Sequence, residues 1–258
     1  MTAAERPDYG IDAPGVVRNL ALSGSACLIV ATLSLTHVIP RILSLGAVRI
    51  SVLPPTMTAG LTLVASALGM YFGSRYGKVS EREKLLSKID WRGDERVLDV
   101  GCGRGLVLVG AAKRASSGAA VGIDIWQTED LSGNRPQVPL DNARREGVGD
   151  RVGVVTADMR AIPFASGAFD VVVSRAAIHN LYQPPQREAA IREIARILKP
   201  GGRAVISDIR HHGEYRKTFE ASGCSDVRLL DSRLSSLFWT VFTMGSLRPN
   251  TMLVKKGG

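Results

Sequence analysis

The 258-residue chain has little cysteine and lacks the composition of a disordered protein. Its three cysteines, Cys27, Cys102 and Cys224, form no C-x-x-C pair, which argues against a disulfide scaffold and a structural zinc site and favours a reducing compartment. Hydrophobic residues make up 45% of the chain and charged residues only 22%, so a highly charged, unfolded chain is excluded. The length fits one sizeable domain plus an appendage.

Charge is almost missing from the first quarter of the chain. Residues 1–74 hold four arginines and three acidic residues, which leaves about +1 of the formal net charge of +9. Two uncharged runs, 19–40 and 50–74, would form helices about 33 and 37 Å long at ~1.5 Å per residue, against a hydrocarbon core of ~30 Å. The sequence therefore predicts a tail over 1–18 and a two-helix transmembrane hairpin over 19–74.

Polar and helix-breaking residues within these runs leave two alternatives open. Several serines and threonines interrupt the first run, and the Pro54–Pro55 pair stands near the start of the second. A re-entrant or interfacial hairpin and a pair of buried soluble helices are the alternatives. Small residues such as Gly24 and Gly60 instead favour close helix packing in a membrane. A cleaved signal peptide is disfavoured, because the leader is mixed in charge and a second apolar run follows.

The segment 75–93 is expected to form a basic linker helix. It contains Ser80 and Glu83 at the spacing of a capping box. Five of its basic residues follow the second apolar run closely: Arg75, Lys78, Arg82, Lys84 and Lys88. By the positive-inside rule, this cluster predicts that the remainder of the chain lies in the cytoplasm.

Residues 94–258 alternate between β-branched runs and helical segments. Predicted strands cover 95–100, 119–125, 151–156, 169–174, 203–209, 226–230 and 251–256. This alternation predicts an α/β fold with a mostly parallel sheet that binds ligands at the carboxyl ends of its strands. The last two strands lack an intervening helix of ordinary length, so we expect them to pair antiparallel.

The first of these strands runs into a glycine-rich turn. The sequence Val97-Leu98-Asp99-Val100-Gly101-Cys102-Gly103-Arg104-Gly105 precedes a predicted helix over 106–114. A nicotinamide fingerprint would need glycine where Leu106 stands, and a P-loop would need Gly-Lys-Ser/Thr. The G-x-G-x-G spacing, with Asp99 two residues ahead, resembles motif I of the class I S-adenosylmethionine-dependent methyltransferases.

Later motifs follow in the order of that family, and the resemblance covers about residues 78–258. Asp124 ends the second strand, Ala157-Asp158-Met159 follows the third, Phe169–Ser174 resembles the fourth-strand motif, and Leu198–Arg203 resembles the turn before the fifth. The resemblance implies a Rossmann-like seven-stranded fold with an antiparallel last strand, and S-adenosylmethionine as the cofactor. It also implies that Asp124 binds the ribose hydroxyls and that Asp158 reads the adenine amino group. The predicted cofactor-binding residues are Asp99, Gly101, Gly103, Gly105, Asp124, Ile125, Asp158, Met159 and Ser174.

Histidines cluster where the methyl acceptor is expected. His179 follows the fourth strand, and His211 and His212 follow the fifth, with Arg175 and Tyr215 nearby. These five residues are the predicted catalytic set, although His179 as a packing residue and the histidine pair as solvated loop residues remain alternatives. No Cys/His/carboxylate spacing indicates a metal site.

An uncharged run over 234–247 lies between Arg233 and Arg248 and contains Phe238 and Trp239. A segment of this composition suits a lid over an apolar pocket or the headgroup boundary of a membrane. A β-hairpin packed on the sheet edge is the alternative interpretation.

The sequence as a whole predicts a membrane-anchored methyltransferase with a small apolar acceptor. A thiol or sulfide acceptor is slightly preferred, and a lipid or isoprenoid quinone precursor is the alternative. A non-catalytic scaffold or sensor that binds S-adenosylmethionine at a membrane is the hypothesis from another class. Nucleic acid is not an expected partner, because Ser174-Arg175-Ala176-Ala177 stands where an Asn/Asp-Pro-Pro-Tyr/Phe motif would be needed.

Overall fold

The computed structural model describes residues 6–128, 131–230 and 249–258, so the predicted lid over 234–247 lies outside the described residues. The chain forms two compact units. The helical unit comprises residues 10–78 and 127–133. The α/β unit comprises residues 6–9, 79–126 and the described residues from 134 onward.

The helical unit contains two long helices and a β-hairpin. Helix α1 (Pro14–Leu35) is followed by strands β1 (Ile42–Leu45) and β2 (Val48–Ser51), which pair antiparallel, and by helix α2 (Leu53–Phe72). Helix α1 starts five residues before the predicted span, because Pro14 suits the first helical turn, where a missing N–H has no cost. The strands were not predicted, and they replace the simple loop expected between the two helices.

Helices α1 and α2 pack through glycines. A Cβ added to Gly24 would lie 2.8 Å from Val64 Cγ2, and one added to Gly60 would lie 2.7 Å from Leu28 Cγ. The helices therefore approach more closely than any side chain at these two positions would allow, which is the packing that the small residues predicted. Other apolar side chains of the same helices face outward, including Leu22, which is 63% exposed.

Within its described residues, the α/β unit contains seven strands and most of five α-helices. Its strands are β3 (Arg96–Val100), β4 (Ala119–Asp124), β5 (Val152–Thr156), β6 (Phe169–Arg175), β7 (Leu198–Asp208), β8 (Cys224–Leu229) and β9 (Asn250–Lys256). The helices are α3 (Lys78–Leu86), α4 (Leu106–Arg114), α5 (Gln137–Arg145), α6 (Pro184–Ile197) and α7 (His212–Ala221).

These strands form one sheet in the order β5-β4-β3-β6-β7-β9-β8. Strands β3 to β7 are parallel, whereas β9 runs antiparallel to both β7 and β8. The α/β prediction and the antiparallel last strand are confirmed. The strand order reverses between β3 and β6, and in open α/β sheets the ligand crevice lies outside the carboxyl ends of the strands at such a point.

Both faces of the sheet are buried, which explains the near-continuous apolar runs of its strands. Leu98 and Val100 of β3 belong to one core cluster with α6 and α7. Val97, on the opposite face, belongs to a second cluster with α3 and α4. Because successive side chains of a strand point to opposite faces, β3 is held from both sides and its carboxyl end is fixed in place.

The prediction of a capping box in the linker is wrong. Ser80 is the third residue of α3, and a residue inside the first turn does not cap that turn. Glu83 instead pairs with Arg114 at 2.6 Å. Two of the five basic residues used to predict the orientation are buried in ion pairs: Lys78 with Asp12 within the helical unit, and Arg82 with Glu146 within the α/β unit.

Candidate active site

The glycine turn after β3 adopts a backbone that requires glycine. Gly101, Gly103 and Gly105 have φ values of 73°, 50° and 82°, all in the left-handed region. A Cβ on Gly101 would collide with that of Ala177, and a Cβ on Gly105 would lie 2.7 Å from Pro139 Cβ. The turn leads directly into α4, whose first amide groups have no partner within the helix and suit an electronegative ligand.

The carboxylate of Asp124 is bonded to this turn from the end of β4. Its Oδ2 accepts the Gly103 amide at 2.8 Å, and its Oδ1 accepts the Trp126 amide at 2.6 Å and the Asn134 side chain at 3.2 Å. A carboxylate has about four lone-pair positions. The described residues use three of them, and Asp124 is partly exposed, so Oδ2 retains capacity for one further donor. The next residue, Ile125, is 49% exposed.

Asp99 has a different environment, since it is only 2% exposed. Burial raises its pKa to about 8, repulsion from Asp124 adds to the rise, and a backbone hydrogen bond from Leu108 opposes it. The neutral form of the Asp99 carboxyl group is therefore favoured up to about neutral pH. Its hydrogen bond with the Leu108 amide connects β3 to the first turns of α4. A ligand contact by this side chain remains a prediction.

Three further predicted cofactor residues already have partners within the protein. Arg160 Nε lies 3.0 and 2.9 Å from the two Asp158 oxygens, and this pairing lowers the pKa of Asp158. Met159 packs against the core beside Gly101. Ser174 is buried and donates its hydroxyl to the Val100 carbonyl oxygen at 2.8 Å, which ties β6 to β3. Their roles in cofactor binding remain predictions.

A second polar cluster is centred on Asp208 at the end of β7. Asp208 is 3% exposed, and its Oδ1 lies within hydrogen-bond distance of His179 Nδ1. Its Oδ2 accepts the His179 amide at 3.0 Å and the Tyr215 hydroxyl at 3.2 Å. Because the carboxylate favours the proton on Nδ1, Nε2 is the proton acceptor of the neutral His179 ring.

Tyr215 contributes a buried hydrogen-bond donor to the Asp208 cluster. Its side chain is fully buried, and burial together with Asp208 raises the pKa of its hydroxyl, which therefore stays protonated as a donor. The structure thus brings together two predicted catalytic residues, His179 and Tyr215, around a carboxylate that was absent from the predicted set. The sequence signal for Asp208 was its position at the end of the strand that pairs with β6.

The other three predicted catalytic residues make different contacts. Arg175 pairs with Glu81 of α3. His211 Nδ1 lies 3.2 Å from Glu214 Oε1. His212 is 9% exposed, and its Nε2 lies 3.1 Å from the Asn250 carbonyl oxygen, so it is not the solvated loop residue of the alternative interpretation. Both histidine rings lie about 6 Å from that of Tyr215 and help to enclose it.

Comparison with known proteins identifies the domain that contains these residues. Residues 98–206 match a family model described as a methyltransferase domain. These residues therefore form a methyltransferase domain. S-adenosylmethionine is its cofactor.

Two curated relatives match the methyltransferase domain. Methyltransferase GfsG of Streptomyces halstedii is 37% identical over 127 residues, which are 49% of this chain and 42% of the relative. The ubiquinone/menaquinone biosynthesis C-methyltransferase UbiE of Roseobacter denitrificans is 31% identical over 121 residues, which are 46% of this chain and 45% of the relative. The chain thus spans less than half the length of these relatives.

Solved structures share the fold of the methyltransferase domain. Geranyl diphosphate C-methyltransferase from Streptomyces coelicolor, solved with S-adenosyl-L-homocysteine and geranyl diphosphate, superposes with a TM-score of 0.54 at 17% sequence identity. The match covers 69% of this chain and 77% of the other. At this identity the likeness shows the fold alone.

The residues of the methyltransferase domain fit the cofactor. A left-handed turn without side chains lets a ligand approach the backbone, and the start of α4 offers amide donors. Asp124 offers a partly exposed carboxylate oxygen suited to a ribose hydroxyl. Gly101 to Gly105 and Asp124 would therefore hold S-adenosylmethionine.

Replacement of Asp99 by Asn tests the electrostatics beneath the turn. Because the folded protein raises the pKa of Asp99, the native state binds more protons than the unfolded state between about pH 4 and 8. The wild-type chain should therefore lose stability as the pH rises through this range, and Asp99→Asn should remove that loss. Thermal unfolding from pH 5 to pH 8 should show a stabilising effect that grows with pH. Parallel pH profiles of the two proteins would refute a raised pKa.

Proposed function

We propose that the chain is a membrane-anchored methyltransferase that acts on an apolar molecule with an ionisable hydroxyl group. The observation that carries this proposal is the pair of His179 and buried Asp208 at the carboxyl ends of neighbouring strands β6 and β7. Ala177, two residues before His179, lies against Gly101 of the cofactor turn. This contact supports a position of the pair on the acceptor side of the cofactor site.

S-adenosylmethionine, when bound, supplies an electrophilic methyl group on a sulfonium centre. The chain positions the acceptor and takes up its proton. His179 Nε2 is the proton acceptor, and Asp208 keeps the ring in the required tautomer and stabilises the imidazolium ion. The Tyr215 hydroxyl and the His179 amide both donate to Asp208 Oδ2, which restricts the rotation of that carboxylate.

The positioned base favours a hydroxyl acceptor over a thiol. A phenolic hydroxyl has a pKa of ~10 and needs a base, whereas a thiol at ~8.5 is already partly ionised near neutral pH. Removal of a phenolic proton activates the oxygen itself or the adjacent ring carbon. The ubiquinone/menaquinone biosynthesis C-methyltransferase among the relatives agrees with this class of acceptor. The comparisons lend no support to the thiol preference, which remains an alternative for the assay to decide.

The outer faces of α1 and α2 support membrane anchoring. Both helices are long and apolar enough to cross a bilayer, and only 11% of the most apolar stretch of each is buried. The continued exposure of large side chains on both helices favours two spans over buried soluble helices. Arg75, Lys84 and Lys88 remain the basis for a cytoplasmic methyltransferase domain, since Lys78 and Arg82 are buried.

A non-catalytic scaffold is the competing class of function. Binding of the cofactor requires the glycine turn and Asp124, but it gives no reason to bury Asp208 against His179. A buried carboxylate costs free energy unless its hydrogen bonds are satisfied, and here several donors meet on one residue. The cluster is therefore better explained by proton transfer during catalysis.

Transfer of a labelled methyl group tests the acceptor and the base together. Phenolic quinone precursors and alkyl thiols are offered to the full chain with labelled S-adenosylmethionine, and we expect label in the phenolic class. His179→Gln should lower turnover about 100-fold or more while leaving the affinity for S-adenosylhomocysteine unchanged. His37→Gln, at an exposed position outside the methyltransferase domain, is the matched control. Equal turnover of the His179 variant and the wild type would rule out His179 as the general base. Label only in thiols would contradict the proposed hydroxyl acceptor.

Alkaline carbonate extraction tests the membrane proposal. Two spanning helices should keep the full chain in the membrane pellet at high pH, because burial of apolar side chains in lipid is insensitive to carbonate. A chain bound only through basic residues should appear in the supernatant. Release of the full chain would therefore exclude the transmembrane hairpin, and a soluble chain before extraction would exclude anchoring altogether.

A further inference from the structure

We propose that residues 6–9, here called the N-terminal clasp, form part of the cofactor site by holding the glycine turn in its binding conformation. The clasp belongs to the same compact unit as the turn, although more than 90 residues separate them in sequence. The proposal rests on the methyltransferase domain and its cofactor, and it is independent of the acceptor.

The first link is the fully buried side chain of Asn142 on α5. Its amide nitrogen lies 2.9 Å from the carbonyl oxygens of both Asp8 and Arg104 and donates to them. Its Oδ1 accepts the backbone amide of Asp8, also at 2.9 Å. One side chain thus pairs with the clasp in the manner of a neighbouring strand and at the same time binds the backbone of the glycine turn.

The second link is direct. Arg104 stands between Gly103 and Gly105, and its side chain extends to the clasp. Its Nε donates to the Asp8 carbonyl oxygen at 3.0 Å, and its Nη2 lies 2.5 Å from Asp8 Oδ2. The Arg104 side chain is only 11% exposed, whereas the Asp8 side chain is 56% exposed, so solvent reaches the carboxylate end of this ion pair and screens it in part.

Tyr9 anchors the clasp in the core of the unit. Its side chain is 8% exposed, and its hydroxyl bonds to Glu146, which also pairs with Lys113 of α4 and with Arg82 of α3. Burial, followed by the contact with Glu146, raises the pKa of Tyr9, so its hydroxyl remains a donor. This network holds the clasp beside the turn.

These contacts couple the clasp to the cofactor thermodynamically. If the docked clasp favours the conformation of Gly101 to Gly105 that binds the cofactor, loss of the clasp must weaken binding. By linkage, bound cofactor must in turn favour the docked clasp by the same factor. A segment that serves only the stability of the fold would show neither effect.

Calorimetry with S-adenosylhomocysteine on the full chain tests the first effect. Asp8→Ala and Arg104→Ala should each weaken binding about three- to fivefold, and the double variant should bind no more weakly than Arg104→Ala alone, because Arg104→Ala already removes both bonds to Asp8, including the side-chain bond that Asp8→Ala removes. Glu188→Ala, which breaks the exposed ion pair with Arg192 on α6, is the control and should bind as the wild type.

If Asp8→Ala binds S-adenosylhomocysteine as tightly as the wild type, the proposal for the clasp is wrong. This holds even if Arg104→Ala weakens binding, because an effect of Arg104 alone would mean that its side chain acts without the clasp. Fully additive losses overturn it as well. Failure of the wild type to bind S-adenosylhomocysteine would instead refute the cofactor site itself, and with it the clasp.

Hydrogen exchange tests the reciprocal effect without any substitution. The Asp8 amide donates to Asn142 and should exchange more slowly when S-adenosylhomocysteine is bound, together with the amides of the glycine turn. The amides of α6 serve as the internal control. Protection of the turn without protection of residues 6–9 would overturn the proposal.

Discussion

The hydrogen bond from the Gly103 amide to the Asp124 carboxylate is the interaction on which the site depends. It joins the turn after β3 to the end of β4 at 2.8 Å. Without it, three left-handed glycines at alternate positions would leave the turn free to sample many conformations. The same carboxylate orders the backbone after β4 through the Trp126 amide. One partly exposed side chain therefore shapes the crevice and retains an oxygen for the ligand.

The site is built around two carboxylates with opposite environments. Asp124 lies at the end of β4 and is partly exposed, which suits a ligand that brings its own donors. Asp208 lies at the end of β7, is buried, and takes its donors from His179 and Tyr215. The sheet order places β3 and β6 between these two strands, so the cofactor side and the acceptor side flank the point where the strand order reverses.

Local signals in the sequence predicted most of the fold. The β-branched runs predicted the strands of the sheet within a few residues, apart from an earlier start of β7, and the glycine spacing predicted the turn that the φ values show. The unpredicted features rest on pairing between distant residues. Asp208 acquires its role from a histidine 29 positions away, and the clasp from contacts with α5 that are 134 positions away. Burial of Lys78 and Arg82 likewise could not be predicted from the sequence, because a basic residue is ordinarily expected to be solvated.

Calorimetric titration of Asp124→Asn with S-adenosylhomocysteine tests the central claim most directly. The amide nitrogen of the variant replaces one carboxylate oxygen and turns a donor toward the amide of either Gly103 or Trp126, so the account predicts binding weaker by about tenfold or more. Asp150→Asn, at a side chain that is 79% exposed, controls for the lost charge and should bind as the wild type. Equal affinity of the Asp124 variant and this control would contradict the account.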